Sequence, residues 1–398
     1  MNNRTSDLLN SLSESATIAM AKMARELKAQ GIDVISLSLG EPDFNTPEQL
    51  KQAGIDAINA NDTHYTPVAG TERVRSAISK KFKRDNGLDY APDQIVVSNG
   101  AKQSIANIVL SIINPGDEVI LPAPFWVSYA EIVKLAKGVP VVIPTSIDDD
   151  YKIKPEALEE AITEKTRMMI YSSPCNPSGS VYTLEETQRL AEVLRKNNNI
   201  ITISDEIYEL INFTPKHASL AGVEGMMDKV VTVNGVSKGF AMTGWRLGYI
   251  GAPKWIAAAC NKIQGQITSA PCSIAQAAAA EAVETDPSIA DNMLDAFCRR
   301  RDQMLEDLSG ITDIKLNKPM GAFYLFPDIS GLFGKSYNGK TLNNSDDVAM
   351  FLIEEAHVAT VSGSAFGTPE CIRLSYAAAD EVLAEAARRI SEAVSKLA

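Results

Sequence analysis

Histidine is scarce in this sequence: His64, His217 and His357 are the three in 398 residues, and they lie far apart. A histidine-built metal centre is therefore not expected. Cysteine is little better supplied, with five scattered positions and no CxxC pair. An odd, dispersed set of this kind indicates neither a disulfide framework nor a zinc site. Long apolar runs are missing too, since no stretch approaches the roughly 18 residues that suggest a membrane helix. The opening residues, MNNRTSDLLNSLSES, carry neither the basic nor the apolar region of a signal peptide. A cytoplasmic protein without a membrane partner is expected. Positive charge is also short: 38 Lys and Arg stand against 50 Asp and Glu, a net charge of −12, and no basic run occurs. Nucleic acid is not an expected partner. Any cation that meets an anionic ligand must be placed singly.

What the chain does have is apolar material, 45% of its residues, and more length than one typical core uses, so two domains are expected. From about residue 94, short Val- and Ile-rich runs alternate with helical patterns. DQIVVSN, DEVILPAP, PVVIPT, MMIYSSP, NIITISDE and KVVTVNGV read as strands, with RLGYIGAP as a seventh. Continuous apolar strands spaced by helices predict an α/β fold with a mainly parallel seven-stranded sheet covered on both faces. Only about ten residues join Val236 to RLGYIGAP, too few for a parallel crossover, so that strand should run antiparallel. Alanine-rich helices follow to about residue 308. Then ITDIKLN, GAFYLFPDI, HVATVSGSAF and CIRLSYA suggest further strands in a smaller α+β domain. A closing helix carries Leu383, Ala387, Ile390, Val394 and Leu397 on one face. The expected division is a large domain over 48–290, a small domain over 291–398, and an arm over 1–47 that joins the small domain.

In open α/β sheets, ligands bind beyond the carboxyl ends of the strands. Asn176 follows MMIYSSP, Asp205 follows NIITIS, and Lys238 follows VVTVNGV, each about one βαβ unit from the last. An amide, a carboxylate and an amine should thus gather at one rim. A desolvated lysine is a nucleophilic amine toward an aldehyde. A buried aspartate can pair with a protonated ring nitrogen, and Tyr208 can bond a phenolic oxygen on the same ring. This set matches the demands of pyridoxal 5′-phosphate, which needs a lysine Schiff base and an acidic partner for its pyridinium. Ser237 and Arg246 can serve the phosphate. The turn SNGAKQ, residues 98–103, opens a helix directly after a strand and so presents free N–H groups to an anion. It is neither GxGxxG nor GxxxxGK[ST], which argues against dinucleotide and P-loop sites.

Seven segments, GEPDF, YTPVAGTERVR, SNGAKQ, PCNPSG, SDEIYE, SKGFAMTGWRLGY and IRLSYA, resemble the fold-type I, class I aminotransferases. They closely resemble the bacterial aspartate aminotransferase branch, whose arm reads like SATIAMAKMAREL. The resemblance runs in order from about Ser15 to the C-terminus. It implies Lys238 as the Schiff-base lysine, Asp205 as the pyridinium partner, and Asn176 and Tyr208 on the ring oxygen. It implies Trp126 stacked on the ring, with Gly100, Ala101, Ser237 and Arg246 at the phosphate. Tyr65 would reach the neighbouring subunit's phosphate, which implies a homodimer with shared sites. Arg373 would clamp the substrate α-carboxylate with Asn176 and the backbone at Gly40. Lys102, with Ser15 and Thr17 nearby, would read a second carboxylate, although Ser15 and Thr17 equally suit helix caps. The activity implied is transfer of the amino group of L-aspartate to 2-oxoglutarate in a ping-pong cycle.

Ser178 and Val74 stand where the family often has Thr and Leu. Ser13 stands near a position where relatives that transaminate prephenate tend to carry lysine. The alternatives within the same fold are an aromatic, alanine or prephenate aminotransferase, or a β-lyase. A binding or regulatory protein that kept the pocket is the alternative outside catalysis.

Overall fold

Residues 4–398 are described by a computed structural model; positions 1–3 of the expected arm lie outside them. The chain opens with α1 (Asp7–Asn10) and α2 (Ala16–Ala29), then β1 (Ile35–Ser36), α3 (Glu48–Asn59) and α4 (Glu72–Lys81). The central stretch alternates as β2 (Ile95–Ser98), α5 (Ala101–Ile112), β3 (Glu118–Pro122), α6 (Ser128–Leu135) and β4 (Val139–Ile143). It continues with α7 (Pro155–Ala161), β5 (Thr166–Ser172), α8 (Leu184–Lys196), β6 (Ile201–Asp205), β7 (Val230–Gly235) and β8 (Gly248–Gly251). These strands form one seven-stranded sheet in the order β2-β8-β7-β6-β5-β3-β4. Only β8 opposes its neighbours, pairing antiparallel with both β2 and β7. The short connection from Val236 accounts for this, as the sequence predicted.

Local chemistry sets the elements that frame the sheet. In α8, Thr183 accepts from the Glu186 N–H while Glu186 accepts from the Thr183 N–H, a reciprocal cap that fixes the helix start. The helix then lays Leu190, Ala191 and Leu194 against the sheet. Strands β2, β6, β7 and β8 are buried along their whole length, because one apolar cluster covers each face of the sheet. Each such Val, Ile or Leu contributes about 1.5–3 kcal/mol on burial. The parallel register sets Ser172 beside Asp205 and Asp205 beside Val233. That brings the carboxyl ends of β5, β6 and β7 to one rim.

After β8 come α9 (Lys254–Ile267), α10 (Ser273–Glu284) and α11 (Asp291–Leu308). The remainder holds β9 (Tyr324–Leu325), the hairpin β10 (Ser336–Tyr337) and β11 (Lys340–Thr341), and α12 (Ser345–Glu355). It closes with β12 (Val358–Ala359), β13 (Val361–Ser362), β14 (Ile372–Ser375) and α13 (Asp380–Val394). A three-stranded sheet runs β13-β14-β9, while β12 pairs in parallel with β1 from the N-terminal segment. A third apolar cluster unites β1, α11, α12 and α13 with Ile207, Tyr208 and Ile211, which follow β6. Residues at the rim of the large sheet are thereby anchored in the C-terminal core.

Three expectations need correction. ITDIKLN forms no strand; its one sheet contact is a bridge between Lys315 and Asp328. The run HVATVSGSAF is two short strands in different sheets rather than one. Leu397 lies past the end of α13, although it still packs against the same cluster. Among the described residues, no helix is long and apolar enough to cross a membrane.

Candidate active site

Lys238 follows β7 by three positions and extends into a cleft at the sheet rim, where its Nζ donates to the Gly40 carbonyl at 2.5 Å. Burial strips water from this ammonium and pulls its pKa down to about 8; Glu41 opposes the shift, while Arg373 and Arg246 add to it. At pH 7 about a tenth of the amine is then neutral, against roughly one part in three thousand for an ordinary lysine. Asp205, at the tip of β6, is buried and its carboxyl is pushed up to about 6 by loss of water. The Tyr129 hydroxyl at 2.6 Å and the Ile207 N–H at 3.3 Å restrain that rise by donating to it. A cation beside Asp205 would favour its charged form further.

Arg373 sits in the middle of β14, opposite Val361, and is 1% exposed. Its guanidinium donates to Asn176 Oδ1 at 2.9 Å and to the Ser38 carbonyl at 2.6 Å. Among the described residues its buried Nε has no hydrogen-bond partner. The plane is held by aromatic rings, Tyr324 at 4.6 Å and Phe366 at 5.1 Å from Cζ. Because Asn176 gives its oxygen to Arg373, its amide N–H groups remain for a ligand. The Tyr208 hydroxyl shares a 2.8 Å hydrogen bond with that of Tyr324.

The other end of the cleft is made by the start of α5. Gly100 adopts φ 86° at the N-cap, where a Cβ would stand 2.5 Å from Arg246 Nη2. A side chain there would displace the arginine. Gly248 of β8 passes so close that its Cβ would meet the Ala101 nitrogen at 2.2 Å. These contacts bring the helix N-terminus, with its free N–H groups, over the cleft beside Ser237 and Arg246. Arg246 is oriented by donating to the Thr243 and Asn99 carbonyls at 2.9 and 3.4 Å.

Trp126 stands edge-on to Tyr129, their ring centroids 5.5 Å apart, and the Lys102 Nζ lies 4.8 Å from its ring centroid. Burial, and then Arg246, hold the Lys102 pKa below its usual value. Ser15 and Thr17 line the same cleft; Ser15 is the N-cap residue of α2, yet its side chain makes no cap hydrogen bond. All the residues singled out from sequence line this cleft except two. Gly100 shapes it from behind, and Tyr65 is fully exposed, away from it. Sequence reasoning missed Tyr129, Tyr324, Ser172 and Thr243, which also line it. Tyr129 had a signal, since it lies one helical turn after Trp126.

The cleft is an anion site by charge. Lys102, Lys238, Arg246 and Arg373 line it, and among the described residues none of them is ion-paired to a carboxylate, while Asp205 is the one acid in its wall. In a chain of net charge −12, four such cations at one place make a local field that favours anionic ligands. The face of β6 turned away from the cleft carries a different arrangement. Glu206 there accepts from His217, Ser204 and Ser219, at 2.8, 2.8 and 2.7 Å. Burial opposes a charge on His217, but Glu206 outweighs it and holds the ring above its usual pKa. Glu209 completes a trio with metal-ligand spacing, which the sequence did not foretell. Lys81 is ion-paired to Glu209, so positive charge already occupies that trio.

The sequence matches the family Aminotransferase class I and II over residues 32–390. The bifunctional aspartate aminotransferase and glutamate/aspartate-prephenate aminotransferase of Petunia hybrida is 48% identical over 97% of this chain and 82% of its own. The crystal structure of the aspartate aminotransferase from Rhizobium meliloti superposes with a TM-score of 0.96 at 40% identity, covering 100% of both chains. The aspartate aminotransferase from Thermus thermophilus with maleate gives a TM-score of 0.91 at 37% identity, over 98% of this chain and 100% of that one.

Proposed function

Because the chain belongs to the class I and II aminotransferases, we propose that its cleft binds pyridoxal 5′-phosphate and transfers the amino group of L-aspartate to 2-oxoglutarate, giving oxaloacetate and L-glutamate. The observation that carries this reading is the set of four unpaired cations around a single buried carboxylate. The donors fit the cofactor. Ala101 and its neighbours at the start of α5, Ser237 and Arg246 suit a phosphate, Asp205 suits a protonated ring nitrogen, and Trp126 supplies a flat face. Tyr208 and the Asn176 amide N–H groups suit the ring oxygen. When bound, the cofactor supplies an aldehyde that takes up the amino group and a protonated ring that draws electrons from the substrate Cα.

The protein's own groups do the rest. Lys238, with its lowered pKa, would be the residue that holds the cofactor's aldehyde end. With substrate in the cleft, its free ε-amine would take the proton from the substrate Cα as a general base. Arg373 binds the α-carboxylate through a planar fork that fixes the Cα–H bond's direction toward that amine. Lys102, with Ser15 and Thr17, binds the second carboxylate. That preference for dicarboxylates agrees with relatives named for aspartate, one of them described with maleate. Tyr65, fully exposed on its own chain, reaches the phosphate site of a second copy in a homodimer.

Prephenate is the second acceptor to test, because the Petunia hybrida relative carries it in its name. Ser13 places no cation near the cleft, and its N–H is engaged by Glu131 at 2.9 Å, so turnover with prephenate should be lower than with 2-oxoglutarate. The deciding experiment is a panel of amino donors against 2-oxoglutarate, run with the native protein and Lys102→Ala. Aspartate and glutamate should be the preferred donors, and Lys102→Ala should lower kcat/KM for both by about 10- to 150-fold, the worth of one charged hydrogen bond. Alanine and phenylalanine should change little. An equal loss on all four would remove Lys102 from the selective site. Pyruvate release without an acceptor would indicate a lyase, and absence of any turnover a non-catalytic protein.

A further inference from the structure

Tyr324 is fully buried in β9, and its side chain touches three parts of the cleft at once. Its ring lies under the Arg373 guanidinium, 4.6 Å from Cζ. Its hydroxyl meets that of Tyr208 at 2.8 Å. It also crowds Gly40, where a Cβ would stand 2.6 Å from the hydroxyl oxygen, and the Gly40 carbonyl is the acceptor for Lys238. We infer that Tyr324 is a positioning residue that couples the carboxylate clamp to the cofactor-side phenol, its ring setting the plane of Arg373 and its hydroxyl setting the donor direction of Tyr208.

The bonding capacity of the two phenols supports this. A hydroxyl has one proton, so one of the pair donates and the other accepts. If Tyr208 is to donate to a ring oxygen, its own oxygen must accept, and the Tyr324 hydroxyl is the donor placed to supply that bond. A phenol that accepts a hydrogen bond becomes the stronger donor. The ring acts on the other side. Arg373 has two hydrogen bonds and an unpartnered Nε, so its orientation relies on the aromatic faces of Tyr324 and Phe366. Residue 40 must be glycine for the hydroxyl to fit.

This rests on the aminotransferase reading with bound pyridoxal phosphate, and the test separates the two. The native protein, Tyr324→Phe and Tyr324→Leu are purified with cofactor, and their visible absorbance is titrated with pH beside steady-state kinetics. A donated hydrogen bond at the ring oxygen favours its charged, proton-free form, so loss of the Tyr324 hydroxyl should raise the chromophore's midpoint by up to about one pH unit. Tyr324→Phe, which keeps the ring, should leave KM for aspartate near native. Tyr324→Leu should raise KM for both aspartate and 2-oxoglutarate by about 2- to 30-fold, the worth of a cation–π contact. An unshifted titration in Tyr324→Phe overturns the proposal, as does a native KM in a folded Tyr324→Leu. If Tyr324→Leu does not fold, the Phe variant decides alone. A native protein without a visible chromophore would instead overturn the cofactor reading.

Discussion

Replacing Lys238 by alanine should lower kcat by at least about 10⁴-fold, because the proposed general base and covalent anchor would be lost together. The fold should survive. Among the described residues Lys238 makes one side-chain hydrogen bond, to the Gly40 carbonyl, and burial penalises its charge, so removing it relieves a desolvation cost. The variant should retain pyridoxal phosphate through the phosphate end, where Ser237, Arg246 and the start of α5 are untouched, but bind it without a covalent link. Activity assays with a thermal melt and an absorbance spectrum distinguish these outcomes. Normal turnover in a folded Lys238→Ala would remove the lysine from the chemistry.

Arg373→Ala should be the second largest loss, about 2–5 kcal/mol in kcat/KM, or about 30- to 5,000-fold, as for breaking a buried charged pair with the substrate. Two features place the value toward the upper end. The guanidinium is fully desolvated, and its removal also frees Asn176 Oδ1, which then lacks its donor. Arg373→Lys keeps the charge but not the fork and should fall between. The loss should apply to every amino acid and oxo acid alike, because all carry the α-carboxylate. That contrasts with the selective loss in Lys102→Ala. A change of less than a few-fold would show that Arg373 does not hold substrate.

Much of this site was legible because strand ends obey a rule. The apolar runs before Asn176, Asp205 and Lys238 could be read as β5, β6 and β7, and neighbouring parallel strands must end together, so their terminal residues had to meet. The antiparallel β8 followed from the length of its connection alone. Tyr129 offered only its spacing from Trp126 and Tyr324 offered nothing, since an aromatic inside an apolar pattern looks the same whether it packs or donates. Only the three-dimensional path of the chain shows that one hydroxyl ends at Asp205 and the other at Tyr208. ITDIKLN misled for a related reason. Its alternation resembles a strand, but strand formation depends on a partner, and only Asp328 supplies a bridge. Ser15 and Thr17 were ambiguous between cap and ligand because the route of the arm is set by tertiary contacts, which place both in the cleft wall.

The account depends on one covalent link between the ε-amine of Lys238 and the aldehyde of pyridoxal phosphate. Reduction of the purified protein with borohydride, followed by peptide mapping, tests it directly. The pyridoxyl label should appear on the peptide that contains SKGFAMTGWR, at residue 238 and nowhere else. A label on another lysine, or none from a protein that carries the cofactor, would contradict it.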